Sequence, residues 1–482
     1  MTQIEKLLLT PCEAVASSSK TNPLDAVVVG GGPTGITSAR TLVEAGLRTA
    51  IIEAGPLAVL THTLSTDLRH NGGSVRALQR SLSYSPKHSS GNAFGALVAC
   101  LGGRGVFWNG AAPRYLEKDF EGWPLTYGDL EPYYLWAERE MFVSNAWGQT
   151  RLASAVCRML RLAGINAEPE PFSVDSRESV DGWLSGTVGN PMTQLLRTGF
   201  LAPDIERRLF VCANALALLV QRSQDSKFLE LIVKDNLTGN EHIIAARSIV
   251  LAAGGFESVR IALSSKLPDT SGLMGRRLMD HWFVRGYFPV ASEIYDSSRP
   301  EAGAILVRPT DGQPFQIEVH LPARLFFHAH ANFKWQPVST EMYSAMIRAF
   351  APTRSVETNY LEVTNPGSAG GYVVHMDITD ADASLREQMV NGIKRVRDAL
   401  RASDATIEQQ PLGASYHEAG GLPMSNNAAT GVVDAFGRFF GEPNIVVADA
   451  SAWPSIGCAN PHLTLVALAR RQASHLANAL KG

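Results

Sequence analysis

Cysteine is scarce in this chain, and no long apolar run is present. The five cysteines are spread over 482 residues, and none stands at the close spacing of a disulfide framework or a zinc site. This usage is typical of a protein from the reducing cytoplasm. The apolar runs are shorter than the roughly 20 residues of a membrane-spanning helix, and Leu7–Leu9 is too short for a signal peptide. We therefore expect a cytoplasmic protein without a membrane partner.

An excess of charge of one sign is also lacking. The chain has 43 lysines and arginines against 46 aspartates and glutamates, for a formal net charge of -3. Proteins that bind nucleic acid carry a basic patch or stripe, so no nucleic-acid partner is expected. With 45% apolar and 18% charged residues, the composition is that of a globular enzyme large enough for two domains.

The sequence does contain a glycine-rich turn between an apolar run and a helix. Ala26–Val29 predicts a buried strand, the next helix ends before Gly46, and Thr49–Ile52 predicts a second strand. The turn between strand and helix carries the pattern GxGxxG, from Gly30 to Gly35. This βαβ unit is typical of dinucleotide binding.

Each glycine of the GxGxxG pattern has a physical role in the prediction. Gly30 permits the tight turn, Gly32 lets the backbone approach a pyrophosphate, and Gly35 lets the helix pack on the strand. The helix N-terminus offers free N–H groups to phosphate. Glu53, at the end of the second strand, is placed to accept hydrogen bonds from an adenosine ribose. The turn does not distinguish FAD from NAD, because both contain ADP.

Two later segments predict further buried strands, and the middle of the chain differs. RSIVLAAGG at 247–255 and NIVVADAS at 444–451 resemble parallel strands, whereas residues 285–379 alternate as half-exposed antiparallel strands do. An amphipathic helix is predicted over 383–402. The expected fold class is α/β, with a discontinuous Rossmann-like domain (24–150, 206–284 and 411–482). A second domain on an antiparallel sheet covers 151–205 and 285–410, and 1–23 forms a loose arm.

Several motifs beyond the βαβ unit carry a family resemblance. They are LGGRGVFWNGAAPRY from Leu101, WPLTYGDLEPYYLWAERE from Trp123, HEAGG from His417 and the segment from Gly431 that ends in SIGCANPHLTLVALA. Together they resemble the glucose–methanol–choline (GMC) oxidoreductases, which use FAD to oxidise alcohols and sugars. The resemblance covers a little under half of the chain and implies the two-domain GMC fold.

The resemblance implies a catalytic pair, His417 and Asn460. A histidine with a pKa near 6.5 can remove the hydroxyl proton of an alcohol, and an asparagine amide can hold the substrate oxygen. Pro461 is expected as the first residue of the last helix. Alternatively, Asn460 is only an N-cap and His417 an ordinary loop histidine; His462 is expected to pack elsewhere.

The glycine motif and the resemblance together imply a set of cofactor contacts. For Asp449, an ordinary acid at a strand end is the alternative, and for Arg104 a surface salt bridge. The expected contacts are Gly30, Gly32, Thr34, Gly35, Glu53, Gly102, Gly103, Arg104, Trp108, Asn109, Gly254, Asp449, Ala450, Asn460, Pro461 and Leu463. Some family members bind FAD covalently through a histidine before the tryptophan; Phe107 stands there, so non-covalent FAD is expected.

The resulting functional hypothesis is oxidation of an alcohol on a sugar or sugar-like molecule, with oxygen or another electron acceptor. Glu318, Glu362, Asp377 and Asp380 would suit a cationic amino sugar if they lined the pocket. One alternative is a redox-silent FAD lyase of the hydroxynitrile-lyase type, and another is an NAD-binding dehydrogenase. No metal site is expected, because His328 and His330 have no third ligand nearby. Asp280 and His281 are expected to be structural.

Overall fold

The computed structural model of the protein contains both helices and strands. It describes residues 8–63, 72–89, 97–175, 187–188, 208–225, 227–291, 294, 302–321 and 342–482. The helices in these ranges are α1 (Cys12–Thr21), α2 (Pro33–Glu44), α3 (Gly72–Ser81), α4 (Tyr127–Glu140), α5 (Arg151–Leu162), α6 (Glu257–Ser264), α7 (Asp380–Ala399) and α8 (His462–Lys481). None of the helices that the structure describes has the length and apolarity to cross a membrane.

The first twelve strands are β1 (Leu24–Val29), β2 (Thr49–Ile52), β3 (Ser83–Tyr84), β4 (Lys87–His88), β5 (Leu97–Val98), β6 (Val143–Ser144), β7 (Ala167–Pro169), β8 (Phe172–Asp175), β9 (Thr187–Val188), β10 (Leu209–Cys212), β11 (Ala215–Arg222) and β12 (Leu229–Asp235). The later ones are β13 (Glu241–Leu251), β14 (Arg276–Met279), β15 (His281–Ala291), β16 (Gly303–Val307), β17 (Gln316–Leu321), β18 (Met342–Pro352), β19 (Tyr360–Val363), β20 (Tyr372–His375), β21 (Ile407–Gln409), β22 (Ala419–Gly421), β23 (Arg438–Phe439) and β24 (Glu442–Val447).

The βαβ unit lies at the centre of an eight-stranded sheet. The strand order is β10-β2-β1-β13-β12-β11, and β24 pairs with β13 and β23. Val28 of β1 lies opposite Ile51 of β2 on one side and Val250 of β13 on the other, both in parallel. Strands from distant parts of the sequence therefore form one parallel core, as the discontinuous Rossmann-like prediction requires.

The second large sheet is antiparallel, with the order β21-β15-β18-β17-β16-β7. One face carries apolar side chains such as Val284, Val319 and Ile347, which pack with residues of α5 and α7 in one core cluster. The opposite face carries Phe283, Arg285 and other large or polar side chains. The period-two pattern in the sequence thus separates a face that packs on helices from a face that carries the polar side chains.

The N-terminal segment is more ordered than the sequence indicates. The expectation of a loose arm is wrong for Cys12–Thr21, which form α1 and pack against β13. Val15 and Ala16 are buried, and the Ser19 hydroxyl accepts a hydrogen bond from the Ala245 N–H at 3.1 Å. The serine-rich stretch suggested a loop, but a helix that buries one side of such a stretch can still be stable.

The helix predicted over 383–402 is confirmed with different ends. It begins at Asp380 and ends at Ala399. It begins there because Thr379 and Asp382 form a reciprocal capping box at its start. Such a box satisfies two backbone donors that the first turn leaves free. Capping residues, rather than the first apolar residue, set the N-terminus of this helix.

Candidate active site

A cavity of about 620 Å³ is lined by residues of both large sheets. Most of the residues assigned to the site from the sequence lie on its wall, although they come from segments hundreds of positions apart. Those on the wall are Gly30, Gly32, Thr34, Glu53, Gly103, Arg104, Trp108, Asn109, Gly254, His417, Asp449, Ala450, Asn460 and Pro461. Gly35, Gly102 and Leu463 do not line the cavity; Leu463 is buried in the core instead.

The glycine-rich turn has the geometry that the motif predicts. Gly30 has φ +103°, and a Cβ there would lie 2.3 Å from the Ala252 carbonyl oxygen. A Cβ on Gly35 would lie 1.8 Å from the Gly30 carbonyl oxygen, so α2 packs directly against the turn. Gly32, in contrast, faces open space, because a Cβ there would meet no described atom within 4 Å. The three glycines therefore meet three different steric demands.

Helix α2 begins at this turn, and its N-terminus has no side-chain cap. Its N-cap is Gly32 and Pro33 follows, so the free N–H groups of the first turn have no side-chain acceptor. Uncapped N–H groups and the positive end of the helix dipole attract phosphate. This end of the cavity fits a pyrophosphate.

Glu53 lies at the end of β2, on the cavity wall. Its carboxylate oxygens accept hydrogen bonds from the Gly31 N–H at 2.7 Å and the Gly55 N–H at 2.8 Å. Burial raises the pKa of Glu53 to about 7, against the lowering effect of these backbone donors. The carboxylate braces the glycine turn and keeps further acceptor capacity for a ribose hydroxyl.

A second glycine-rich loop packs against the first. The Gly102 N–H donates to the Gly31 carbonyl at 2.7 Å, with Gly102 at φ +95°. A Cβ on Gly103 would lie 3.1 Å from the Gly32 Cα. The two loops approach so closely because both are glycine. Gly102 thus does not line the cavity itself but holds the first glycine-rich turn, which does.

Arg104 extends from this loop to the segment that carries His417. Its guanidinium donates to the Glu418 carboxylate and to the Tyr416 carbonyl, both at 2.6 Å. The sequence left open a contact with the cofactor or a surface salt bridge. The observed partner is buried Glu418, and Arg104 remains on the cavity wall.

Asp449 holds two turns together at the ends of parallel strands. One carboxylate oxygen accepts from the Gly254 N–H at 2.9 Å and the Ser258 hydroxyl at 2.6 Å. The other accepts from the N–H and hydroxyl of Ser451 at 3.0 and 2.6 Å. Burial raises its pKa despite these donors. Its carboxylate is occupied by protein, so any contact with a cofactor comes in addition to this structural role.

His417 lies on the wall in a loop held by the pair Asp280–His281. The Asp280 carboxylate accepts from the Ser415 hydroxyl and from the His417 N–H, the latter at 3.2 Å. The Nδ1 atoms of His281 and His417 are 2.7 Å apart. Asp280 and His281 were expected to be structural first. Their contact with His417 depends on tertiary structure, and in the sequence only the Asp-His pair in a family-like motif pointed to it.

Asn460 is oriented by β17 rather than by the last helix. Its Oδ1 accepts from Gln316 Nε2 at 3.1 Å. The expectation that Pro461 is the first helical residue is shifted by one position: α8 begins at His462, Pro461 is its N-cap, and no side-chain cap is present. Asn460 therefore does not act as an N-cap; its amide also donates to the Glu318 carboxylate, and the residue lies on the cavity wall.

His462, the first residue of α8, packs against Trp108. Its ring stacks on Trp108 with 3.8 Å between centroids and an angle of 21°. Burial lowers the pKa of His462 to about 3. The expectation that His462 packs elsewhere is wrong: this histidine stacks on the second glycine-rich loop and lines the same cavity as His417.

The face of the antiparallel sheet toward the cavity carries a row of charges. Across β21, β15, β18 and β17, Glu408 lies beside Arg285, Arg285 beside Arg348, and Arg348 beside Glu318. Both arginines line the cavity. Like charges opposite each other on neighbouring strands are destabilising. Here the outer carboxylates, each in an ion pair with its arginine, compensate for that repulsion.

Two phenylalanines occupy the adjacent row. The rings of Phe283 and Phe350 stack with centroids 4.8 Å apart and an angle of 7°, and both line the cavity. This wall therefore combines an apolar ring pair with guanidinium donors. Neither ring was singled out from the sequence, because residues in neighbouring strands are far apart in the chain.

Glu170, Glu318 and His320 form a buried cluster whose potential ligand atoms lie within 4.8 Å of one another. His320 Nε2 is 2.6 Å from Glu170 Oε2, and the Arg348 guanidinium contacts Glu318. Burial raises the pKa of Glu170 and lowers that of His320. An arginine already supplies the positive charge here, which disfavours a cation. His328 and His330 lie outside the described residues.

The cavity wall fits a large polar cofactor. Asn109 Nδ2 and Glu418 Oε1 are buried polar atoms that have no hydrogen-bond partner among the described residues. Together with the open space at Gly32 and the uncapped helix α2, they provide donors and an acceptor along the cavity. A dinucleotide with a phosphate bridge, a ribose and a polar ring system has groups of this kind.

Comparison with known proteins agrees with this geometry. Residues 355–469 match the family model described as GMC oxidoreductase. The chain is 25% identical to 6'''-hydroxyparomomycin C oxidase of Streptomyces lividus, over 94% of this chain and 92% of the relative. It is 25% identical to paromamine 6'-oxidase of Streptomyces fradiae, over 95% and 92%.

Solved structures show the same fold. Pyridoxine 4-oxidase from Mesorbium loti superposes with a TM-score of 0.67 at 17% identity, over 94% of this chain and 99% of that protein. Formate oxidase gives a TM-score of 0.71 at 14% identity, over 95% and 98%. The predicted GMC fold class is confirmed. The family match and the oxidase relatives indicate an oxidoreductase of the GMC type, and its flavoprotein neighbours indicate FAD as the cofactor.

Proposed function

We propose that this protein oxidises an alcohol group of a sugar-like molecule, with His417 as base and Asn460 as the residue that holds the substrate oxygen. The observation that carries the proposal is the shared cavity: two motifs from the C-terminal region and the N-terminal glycine turn line one wall. The oxidase names of the relatives from two Streptomyces species support the same reaction.

The chain's own groups provide the proton chemistry. His417 is neutral at physiological pH, since burial and, after it, the nearby guanidinium charges of Arg104 and Arg348 lower its pKa well below the usual value. A neutral imidazole can accept the hydroxyl proton. The Asn460 amide is oriented by Gln316 and by Glu318, and its second N–H donates to the oxygen on which negative charge develops. FAD, when bound, supplies the acceptor for the carbinol hydride.

The assigned cofactor contacts remain a proposal. Gly32 and the N-terminus of α2 would hold the pyrophosphate, Glu53 the ribose, and Asn109 and Pro461 the ring system. We also propose non-covalent attachment, because Phe107 on the wall offers no nucleophile at the position of the linking histidine in some relatives. Denaturation of the purified protein would then release all of its yellow colour into the supernatant; flavin retained on the precipitate would contradict this.

The charges on the wall bear on the substrate. Among the four acids considered for an amino sugar, Glu318 is in an ion pair with Arg348, and Glu362, Asp377 and Asp380 are not on the wall. Arg285 and Arg348 are on the wall, and guanidinium groups donate to hydroxyl or carboxylate oxygens. Because each arginine is balanced by its carboxylate partner, this row carries no net charge, and we favour a neutral sugar.

The domain boundaries and the location are proposals of the same kind. The cofactor domain comprises 24–150, 206–284 and 411–482, and the substrate domain 151–205 and 285–410. Five buried cysteines without disulfides suit the cytoplasm. The acceptor is oxygen or another oxidant.

Anaerobic mixing with matched neutral, acidic and amino sugars tests the function. Loss of absorbance near about 450 nm, the band of oxidised flavin, is expected with a neutral sugar, and readmission of air distinguishes an oxidase from a dehydrogenase. If no sugar or simple alcohol bleached the flavin, the proposed oxidation would be wrong and a redox-silent lyase would be favoured.

A further inference from the structure

The hydrogen bonds of His281 determine where its proton lies. Its Nε2 is 2.5 Å from the Gly457 carbonyl oxygen. A carbonyl oxygen can only accept, so Nε2 must carry the hydrogen. Burial of the ring lowers the pKa of His281 to about 4, so the ring is neutral and has one N–H. Its Nδ1 is consequently an acceptor.

This assignment determines the protonation of His417. The two Nδ1 atoms are 2.7 Å apart, and one of them must donate. Because His281 Nδ1 is the acceptor, His417 Nδ1 carries the hydrogen. A neutral imidazole has only one N–H. The Nε2 of His417 therefore has a free lone pair, which is what a general base requires.

We propose that His281 is a positioning residue that fixes His417 in the tautomer with a basic Nε2. The proposal rests on the proposed role of His417 as base. It assigns His281 the function that an acidic residue has in a serine-protease triad, in which the orienting group holds the base in the correct tautomer. Here the orienting group is neutral, and its own proton is held by the backbone.

The geometry links the two halves of the catalytic pair. Gly457 lies three positions before Asn460 in the same segment, and His281 is at the start of β15. A single side chain thus contacts the segment of Asn460 through a carbonyl and His417 through a ring nitrogen. Phe350, 6.1 Å from the His281 ring and 5.5 Å from the His417 ring, packs beside both.

The surroundings of the pair maintain the neutral form. His417 faces Arg104 from the second glycine loop, Arg348 from β18 and His462 from α8, and each of these lowers its pKa. The acids nearby are engaged: Glu418 with Arg104, and Asp280 with Ser415 and with backbone N–H groups. When His417 takes up a proton on Nε2, its Nδ1–H bond to His281 is unchanged.

Protonation of His281 would reverse this arrangement. A doubly protonated His281 ring has no acceptor, so His417 Nδ1 would have to accept and the remaining hydrogen of His417 would move to Nε2. The base would then be blocked without any loss of structure. The catalytic rate is therefore expected to respond to His281 as well as to His417 at low pH.

The test compares His281→Phe with His281→Gln in the flavin-loaded enzyme. Phenylalanine removes both hydrogen bonds, whereas glutamine can donate to Gly457 and accept from His417 Nδ1. We expect flavin reduction to slow about 100-fold in His281→Phe and to recover at least in part in His281→Gln, with little change in substrate affinity. His375→Phe is the control, since His375 stacks on Tyr360 away from the cavity.

Ring ¹⁵N–¹H NMR of the histidine-labelled wild-type protein tests the tautomer independently of activity. The resonances of His417, assigned by their loss in His417→Gln, are expected to show a hydrogen on Nδ1 and a bare Nε2. A hydrogen on Nε2, or a folded His281→Phe enzyme that reduces flavin within about threefold of wild type, would overturn the proposal. If His417→Ala itself had no effect, the proposed function would fail instead.

Discussion

Arg104 and Glu418 form an ion pair, with Nη2 and Oε2 2.6 Å apart, that joins two loops separated by 314 positions in the chain. Glu418 follows His417 directly, and its side chain is only 2% exposed. The second glycine-rich loop, which packs on the GxGxxG turn, is in this way tied to the loop of the proposed base. The proposed cofactor-binding and catalytic residues thus share one support.

Removal of Arg104 is expected to destabilise the protein. Arg104→Met leaves the Glu418 carboxylate buried without its partner, which costs up to about 3 kcal/mol, and about half as much where solvent reaches the site. The thermal midpoint should fall. The double variant with Glu418→Gln should recover part of the loss, because no unpaired charge remains. Equal midpoints for the wild type and Arg104→Met would show that the pair is not important for stability.

The glycine turn offers a matched pair of substitutions. Gly32→Ala adds a methyl group in open space and should leave the thermal midpoint of the flavin-free protein unchanged, but weaken FAD binding at least about tenfold by obstructing the pyrophosphate. Gly35→Ala places a methyl group 1.8 Å from a carbonyl oxygen and should lower the midpoint itself. Flavin fluorescence titration and thermal melts separate the two effects; FAD affinity unaffected by Gly32→Ala would place the pyrophosphate elsewhere.

The N-terminal helix is expected to contribute to stability. Val15→Ser replaces a side chain that is 2% exposed and should reduce the free energy of unfolding by about 2 kcal/mol, through lost apolar burial and a buried hydroxyl. Ala14→Ser, on the exposed side of the same helix, is the control and should have almost no effect. Similar denaturation curves for both variants would restore the view of residues 12–21 as a loose arm.

The pH dependence of flavin reduction follows from the lowered pKa of His417. A base must be neutral, and a group with a lowered pKa stays neutral to lower pH. The acid limb of the rate should therefore lie below the ordinary histidine pKa of about 6.5. Stopped-flow reduction between about pH 5 and 9 measures it. An acid limb at or above the ordinary value would mean that the environment does not destabilise the charged imidazole.

Local sequence patterns predicted the parts of the fold that depend on local interactions. The βαβ unit, the tight packing at Gly30 and Gly35 and the alternation in the antiparallel sheet follow from turn sterics and periodicity, and the structure has all three. The start of α7 was missed by three residues because a capping box, not the apolar stripe, begins the helix. Helix α1 was missed because serines can cover the solvent side of a helix as well as a loop.

Only those residues of the candidate site that belong to a recognisable sequence motif could be predicted. His417, Asn460 and the glycines stand in recognisable segments. Strand pairing brings Arg348 and Phe283 to the cavity and Gln316 to Asn460, and the sequence does not specify that pairing position by position. The role of His281 required knowledge of which atom faces the Gly457 carbonyl. Contacts between side chains from distant segments therefore account for most of what the sequence left out.

Single-turnover reduction of the bound flavin in wild-type and His417→Ala enzyme is the most direct test of the central claim. With a sugar that bleaches the wild type, His417→Ala should retain FAD and reduce it about a hundredfold more slowly or worse. A His417→Ala enzyme that binds FAD and reduces it at the wild-type rate would contradict the account.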